Sequence, residues 1–139
     1  MDNGEKYTTY ALLKSKLSRA LKGGFWLEAC MIEYAIIEDR TSSILQHGGV
    51  CKDAYSSAKK LSNKLNSIAM QIGKKHPILS KKVDPNLLES VRIWKDKRND
   101  LVHRACVHYD EAAAKLLAEE GRLLVEKISN DSRKVSRMA

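Results

Sequence analysis

Apolar residues return every three or four positions along most of this chain, and glycines interrupt the pattern. Between residues 6 and 22, for example, Leu13 and Leu17 share one stripe, and Gly23 and Gly24 follow it. This spacing is typical of an amphipathic helix, and glycine commonly ends a helix. No stretch alternates convincingly at the period of two that marks a half-buried strand. The sequence therefore predicts an all-α protein.

The same pattern predicts about five helices. Asp84 is suited to cap the fourth helix, because Pro85 occupies the first helical position after it. Short glycine turns favour antiparallel neighbours, so we expect a compact bundle. At 139 residues, with no repeat or linker, the chain is expected to form a single domain over 1–139, with 129–139 as a frayed basic tail. The predicted helices span 6–22, 25–47, about 54–72, about 84–103 and about 110–128.

Composition limits the class of protein. Hydrophobic residues make up 43% of the chain and charged residues 30%, which excludes a disordered segment. No run of 18 apolar residues exists, and the first ten residues lack the basic-then-apolar order of a signal peptide. We therefore predict a cytosolic protein with no membrane partner. Three cysteines without a C-x-x-C pair predict reduced thiols and no metal or cofactor: Cys30, Cys51 and Cys106.

The net charge of +8 is concentrated in the middle of the chain. Residues 52–104 hold thirteen basic against five acidic side chains, whereas the flanking segments 1–51 and 105–139 are each balanced. A basic surface attracts phosphate backbones, although lysines on a helix are often only a solvated face. The predicted RNA contacts are Lys74, Lys75, Lys81, Lys82, Lys95, Lys97 and Arg104.

Arg98 stands on a seam that is otherwise apolar. Leu87, Val91 and Trp94 step along the fourth helix at intervals of four and three, and Arg98 is next on that line. A guanidinium there needs an anion, a partner chain or a polar cleft, because an unpaired buried charge is costly. The purely structural interpretation is a salt bridge to a carboxylate on another helix, for which the candidates are Glu33, Glu38 and Asp39.

His103 lies five residues beyond Arg98 and four beyond Asn99. On a helix the Asn99 amide is thus placed to hold the His103 ring. Five residues correspond to about 140° of rotation and about 7.5 Å of rise, so one straight helix cannot aim Arg98 and His103 at one atom. The sequence predicts that the helix ends or deforms near Val102, or that a second chain completes the site.

The stretch "RNDLVH", residues 98–103, resembles the signature of the HEPN superfamily (higher eukaryotes and prokaryotes nucleotide-binding domains). That signature is an arginine, a polar residue and then a histidine after a gap of four to six residues. Residues 25–45 also resemble the second helix of HEPN proteins of the abortive-infection type. The resemblance implies an all-helical, metal-independent ribonuclease without a cofactor, usually a dimer, that acts in phage defence or as a toxin.

The resemblance assigns catalysis to Arg98 and His103, and the chemistry agrees. RNA carries its own nucleophile, the 2′-hydroxyl, so the enzyme must supply a base, positive charge and an acid for the leaving 5′-oxygen; the products are 2′,3′-cyclic phosphate ends. Histidine can act as base or acid, and arginine pairs with two phosphate oxygens. Asn99 would orient the site and Asp100 would hold Arg98 or a neighbour's His103. Candidate braces on the second helix are Glu33, Glu38, Asp39 and Arg40.

Several alternatives are compatible with the sequence. A non-catalytic helical module that binds RNA or a protein through its basic face predicts the same charge map, and a helix-turn-helix is a weaker possibility. His108 is a second proton carrier or, more simply, a loop residue. The expected partners are single-stranded RNA, a second copy of the chain packed through the fourth helix near Trp94, and an antitoxin or defence-system protein.

Overall fold

The computed structural model describes residues 3–50 and 60–138. All six regular elements in these residues are helices, which confirms the all-α prediction for this part of the chain. None of them combines the length and the apolar character needed to cross a membrane. They are α1 (Asn3–Gly23), α2 (Trp26–His47), α3 (Leu61–Gly73), α4 (Leu79–Lys82), α5 (Pro85–Arg104) and α6 (Glu111–Met138).

The predicted stop and start signals act as expected. α1 ends at Gly23 and Gly24 has φ of 75°, while α2 ends at His47 and Gly49 has φ of 76°. Residues that carry a side chain rarely adopt this left-handed backbone conformation. Glycine can therefore end both helices where other residues would be strained. At the start of α5, the Asp84 carboxylate accepts a hydrogen bond of 2.9 Å from the backbone N–H of Asn86, which confirms the predicted cap.

The segment between α3 and α5 contains one helix more than expected. α4 is a single turn, and it forms because the carbonyls of His76 and Ile78 accept backbone N–H bonds from Ser80 and Lys82. Leu79 anchors this turn, since its side chain is fully buried. The third helix was expected from about residue 54; residues 51–59, including Cys51, lie outside the described part, and the described helix begins at Leu61.

The prediction of a frayed tail over 129–139 is wrong. α6 continues through Met138, and Val135 is fully buried. The tail looks polar in sequence because small or acidic side chains occupy its inward positions, and these positions still follow the helical period. The buried polar residues of this segment are Ser129, Asp131 and Ser132.

The chain packs as two compact units, each drawn from two segments. The first unit is Met1–Ile36 with Trp94–Leu123, and it contains α1, the start of α2, the end of α5 and the start of α6. The second unit is Ile37–Ile93 with Leu124–Ala139. It contains the remaining parts of α2, α5 and α6, together with α3 and α4. The expectation of one domain over the whole chain stays a prediction. The first unit buries Ala29, Cys30, Trp94, Ala114 and Ala118; the second buries Ile37, Ile44, Leu45, Leu65 and Ile128.

Candidate functional site

The apolar seam of α5 faces the interior of its own chain. Leu87 and Val91 are buried in the second unit, and Trp94 is only 2% exposed in the first. The indole Nε1 of Trp94 donates a hydrogen bond of 2.9 Å to the carbonyl oxygen of Leu117 on α6. This bond satisfies the polar end of the buried ring. The expectation that Trp94 contacts a second copy is therefore wrong.

Arg98 is half-buried and is held without a carboxylate. Its guanidinium carbon lies 4.3 Å from the centroid of the Tyr34 ring on α2, and Nη1 donates a hydrogen bond of 3.1 Å to Asn99 Oδ1. The Nε atom is buried and has no hydrogen-bond partner among the described residues. The alternative of a structural salt bridge is thus not realised within this part of the chain. Asn99 holds Arg98 rather than His103, which corrects the expected role of this amide.

His103 is exposed in the last turn of α5. The helix runs through Val102 to Arg104, so the expected deformation near Val102 does not occur. Arg98 and His103 consequently stay on one helix, about 140° apart by ideal geometry. Asp100 pairs with neither of them, because its Oδ1 atom lies 3.0 Å from Arg104 Nε. By this geometry the two predicted catalytic groups of one chain leave α5 in different directions.

A groove of about 340 Å³ lies in the first unit beside the end of α5. Its apolar lining includes Leu101 and the exposed Leu116, and its acidic and basic side chains include the Asp100–Arg104 pair. His108 follows α5 in the loop before α6, as predicted, and lines this groove; its role as a second proton carrier stays a prediction. The other lining residues are Lys97, Asp110, Ala113, Leu117 and Glu120.

Glu33 is an acidic residue buried in the first unit without a hydrogen-bonded counter-ion among the described residues. It is fully buried on α2, and neither carboxylate oxygen has a hydrogen-bond partner in the described part of the chain. Burial raises the pKa of this carboxyl to about 9, and Arg122 opposes that rise only in part. Glu33 is therefore protonated and neutral at pH 7. Burial also raises the pKa of Cys30 to about 12; the charge of Glu33 adds to this rise and that of Arg98 counteracts it.

Glycine at position 121 makes room for this acid. A Cβ on residue 121 would collide with Glu33 Oε1 and would lie 2.8 Å from Trp94 Cζ2. The carboxyl, the indole and the α6 backbone thus share the space that a larger residue would fill. The sequence hinted at this only through a glycine inside an otherwise regular helical pattern.

The other candidate braces belong to the second unit. Glu38 Oε1 lies 3.8 Å from Lys64 Nζ, and the Nε atom of Arg40 donates a hydrogen bond of 3.1 Å to Asp39 Oδ2. A bracing role for Glu38, Asp39 and Arg40 stays a prediction, whereas Glu33 shares the first unit with Arg98.

The predicted RNA contacts differ in exposure. Lys97 and Arg104 are exposed in the first unit, and Lys82 is partly exposed. Lys95 is buried and its Nζ lies 2.7 Å from Asp96 Oδ1, which argues against it as a phosphate contact. Three of the predicted RNA-contacting side chains are exposed in the second unit, before or within α4: Lys74, Lys75 and Lys81.

Residues 3–50 and 60–138 contain no group of three or more histidine, cysteine or acidic side chains placed to hold a metal ion. No protein-family model, curated protein or solved structure matches the chain. The resemblance to HEPN proteins therefore depends on residues 25–45 and 98–103 alone.

Proposed function

We propose that the protein is a metal-independent, HEPN-type endoribonuclease that cuts single-stranded RNA in phage defence or as a toxin. The observation that carries the proposal is the unneutralised guanidinium of Arg98, which has no carboxylate partner in the described part of the chain. The Tyr34 ring and the Asn99 amide fix this group while leaving its charge available. An arginine fixed in this way is suited to bind phosphate oxygens.

In this mechanism His103 takes the proton from the 2′-hydroxyl as the base, and the His103 of a second copy, or water, gives a proton to the leaving 5′-oxygen. Arg98 stabilises the charge that develops on the phosphorus oxygens. Asn99 orients the Arg98 fork, and the exposed side chains of Lys97 and Arg104 attract the RNA backbone. The products carry 2′,3′-cyclic phosphate and 5′-hydroxyl ends.

The unbroken helix favours a shared site. Because Arg98 and His103 point in different directions on α5, we propose a two-fold homodimer in which Arg98 of one copy and His103 of the other act on one phosphate. The last turn of α5 is exposed and can approach a second copy, whereas Trp94 is buried.

One observation favours a second candidate function, RNA binding without cleavage. His103 makes no hydrogen bond with the described residues that would fix its ring for proton transfer. A helical module that only binds RNA needs no such fixation, and it would use the same basic side chains.

Incubation of the purified protein with single-stranded RNA, with and without a metal chelator, tests the first function. We expect equal cleavage in both samples and 2′,3′-cyclic phosphate ends. A matched RNA with one 2′-deoxynucleotide should resist cleavage at that nucleotide, because the nucleophile is missing. Cleavage that stops with the chelator would contradict the mechanism, and tight binding without cleavage would favour the binding module.

Light scattering during the same assay tests the shared site. Activity per chain should fall as dilution separates the copies. A protein that stays monomeric and equally active per chain at every concentration would exclude a site formed by two copies.

A further inference from the structure

Two buried polar groups of the first unit lack partners, and they lie on facing helices. The carboxyl of Glu33 on α2 meets Trp94 of α5 in the space left by Gly121 of α6. The Nε atom of Arg98 is likewise buried and unpaired, and Arg98 is one helical turn beyond Trp94 on α5. Buried polar groups are ordinarily hydrogen-bonded, so two such exceptions in one unit call for a physical reason.

Cys30 links these two groups electrostatically. It lies one turn before Glu33 on α2, and its thiol responds to both charges, since Glu33 raises its pKa and Arg98 lowers it. The Tyr34 ring that supports Arg98 lies one residue beyond Glu33 and four beyond Cys30. The acid and the guanidinium therefore approach the same turn of α2, and each could satisfy the other.

We propose that Glu33 is a positioning residue for Arg98. While Glu33 is neutral, the Arg98 guanidinium lies over the Tyr34 ring. When Glu33 is ionised, the guanidinium turns inward and pairs with the Glu33 carboxylate. A buried carboxylate without a counter-charge is strongly unfavourable, and an arginine that is already half-buried can provide one with little further desolvation. The proposal rests on the proposed function in one respect: it states when Arg98 is available to phosphate.

The groups around Glu33 define the competition for its charge. Cys30 lies one turn before it and Tyr34 directly after it on α2, Arg98 belongs to α5, and Arg122 belongs to α6. Arg122 is exposed and already weakens the rise in the pKa of Glu33 through its charge. It is thus the alternative partner that an experiment must separate from Arg98.

Carbon-detected NMR of the arginine Cζ atoms in RNA-free protein, recorded between pH 7 and 10, provides the test. We expect the Arg98 signal to shift with a midpoint near pH 9, where Glu33 ionises. In Glu33→Gln the signal should stay at the position seen in the natural protein at pH 7. The matched control is Glu28→Gln, an exposed acid on the same helix, which should retain the transition. A signal that never shifts, or that shifts equally in Glu33→Gln, overturns the proposal; so does a shift of Arg122 in place of Arg98.

A reciprocal variant keeps the test valid if Glu33→Gln does not fold. Removal of the arginine in Arg98→Gln should raise the titration midpoint of the Glu33 carboxyl carbon, because coupling between two groups acts equally in both directions. Lys97→Gln, at the exposed neighbouring position, should leave that midpoint unchanged. An unchanged midpoint in Arg98→Gln overturns the proposal.

The NMR measurements need no RNA, so they are independent of catalysis. If the protein cuts RNA, cleavage at saturating RNA should fall above about pH 9 in the natural protein, and this fall should be absent in Glu33→Gln. An NMR transition in a protein that never cuts RNA would support the positioning of Arg98 and refute only the ribonuclease.

Discussion

The fully buried side-chain nitrogen and oxygen atoms that lack a hydrogen-bond partner among the described residues all belong to the first unit and not to the second. In the second unit the Thr41 hydroxyl donates to the carbonyl of Ile37 at 3.1 Å, and Asp131 accepts from the backbone N–H of Asp84 at 3.4 Å. In the first unit Glu33 and the Nε atom of Arg98 have no partner among the described residues. Unpaired buried groups cost stability, and such groups concentrate at functional sites. The comparison shows that the first unit bears an energetic cost that these two bonds spare the second, where the Asp131 bond joins α6 to the start of α5.

The largest expected effect contrasts a histidine of each unit. His103→Ala should reduce RNA cleavage by roughly a hundredfold to ten-thousandfold, the usual range for loss of a general acid or base. His76 of the second unit instead accepts backbone N–H bonds from Ile78 and Leu79 through Nδ1, at 3.2 and 3.1 Å. His76→Ala should therefore lower stability without changing the rate of the folded fraction. Single-turnover cleavage measures the rate of each variant, and circular dichroism checks that it is folded. Equal rates for folded His103→Ala and the natural protein would contradict the different roles of the two histidines.

The next effect concerns stability and pH. The pKa of Glu33 is about 9 in the folded protein against an ordinary value of 4.5, so between these values the folded state keeps a proton that the unfolded state releases. The stability of the natural protein should consequently fall as pH rises through this window, by about 1.4 kcal/mol per pH unit, or roughly 3 kcal/mol by pH 7. Glu33→Gln should remove this loss. Urea unfolding at pH 5 and pH 8 measures the difference between the two proteins.

Asp131 is the matched acid of the second unit. Burial raises its pKa, but the backbone N–H of Asp84 favours the charged form and opposes the rise. Asp131→Asn should therefore change the pH dependence of stability in the same direction and by less than Glu33→Gln. If Asp131→Asn has the larger effect, the acid of the first unit is not the exceptional one.

A smaller effect follows from the two helical glycines. Gly121→Ala in the first unit should destabilise the protein by roughly 1–3 kcal/mol, because the added Cβ meets the Glu33 carboxyl and the Trp94 ring. Gly73→Ala at the end of α3 meets nothing within 4 Å and should be neutral or stabilising by up to about 1 kcal/mol. Addition of Glu33→Ala to Gly121→Ala should restore part of the lost stability. Thermal unfolding of the three variants measures these changes in stability. Equal losses of stability at both glycines would contradict the packing around Glu33.

Most of the fold could be predicted because local signals specify it. The glycines at 24 and 49 and the cap at Asp84 act through nearby backbone atoms, so their effect is readable from neighbouring residues. The tail was mispredicted because Ser132 and Asp131 are buried there, and hydropathy does not reveal that a polar residue faces inward.

The candidate site was predictable only in its residue types. Spacing on one helix identified Arg98 as a misplaced charge and His103 as its distant neighbour. The support of Arg98 by Tyr34 and the neutral state of Glu33 could not be predicted, since both depend on which helices pack together. The space that the Glu33 carboxyl occupies depends on Gly121, which is 88 residues away in the chain.

The smallest effect concerns RNA affinity and the basic side chains of the second unit. Replacement of four lysines by glutamine should weaken RNA binding and flatten its dependence on salt, because each phosphate contact to single-stranded RNA contributes about 0.7 to the slope of log K against log salt concentration. If all four lysines contact phosphate, the slope should fall by about 3. Cleavage at saturating RNA should be unchanged, because these lysines lie outside the unit that contains Arg98 and His103. The four residues are Lys74, Lys75, Lys81 and Lys82.

A matched pair of replacements separates local contacts from total charge. Lys127→Gln and Lys134→Gln change exposed residues of α6 in the same unit but outside the basic segment 52–104. They should weaken binding less per charge removed, because a general electrostatic field decays within about 8–10 Å at physiological salt whereas a direct contact releases counterions. Titrations of fluorescent RNA at several salt concentrations measure both slopes. Equal changes in slope per charge removed would mean that the second unit attracts RNA only through its net charge. Slower cleavage at saturating RNA would mean that its lysines take part in the chemistry assigned to the first unit.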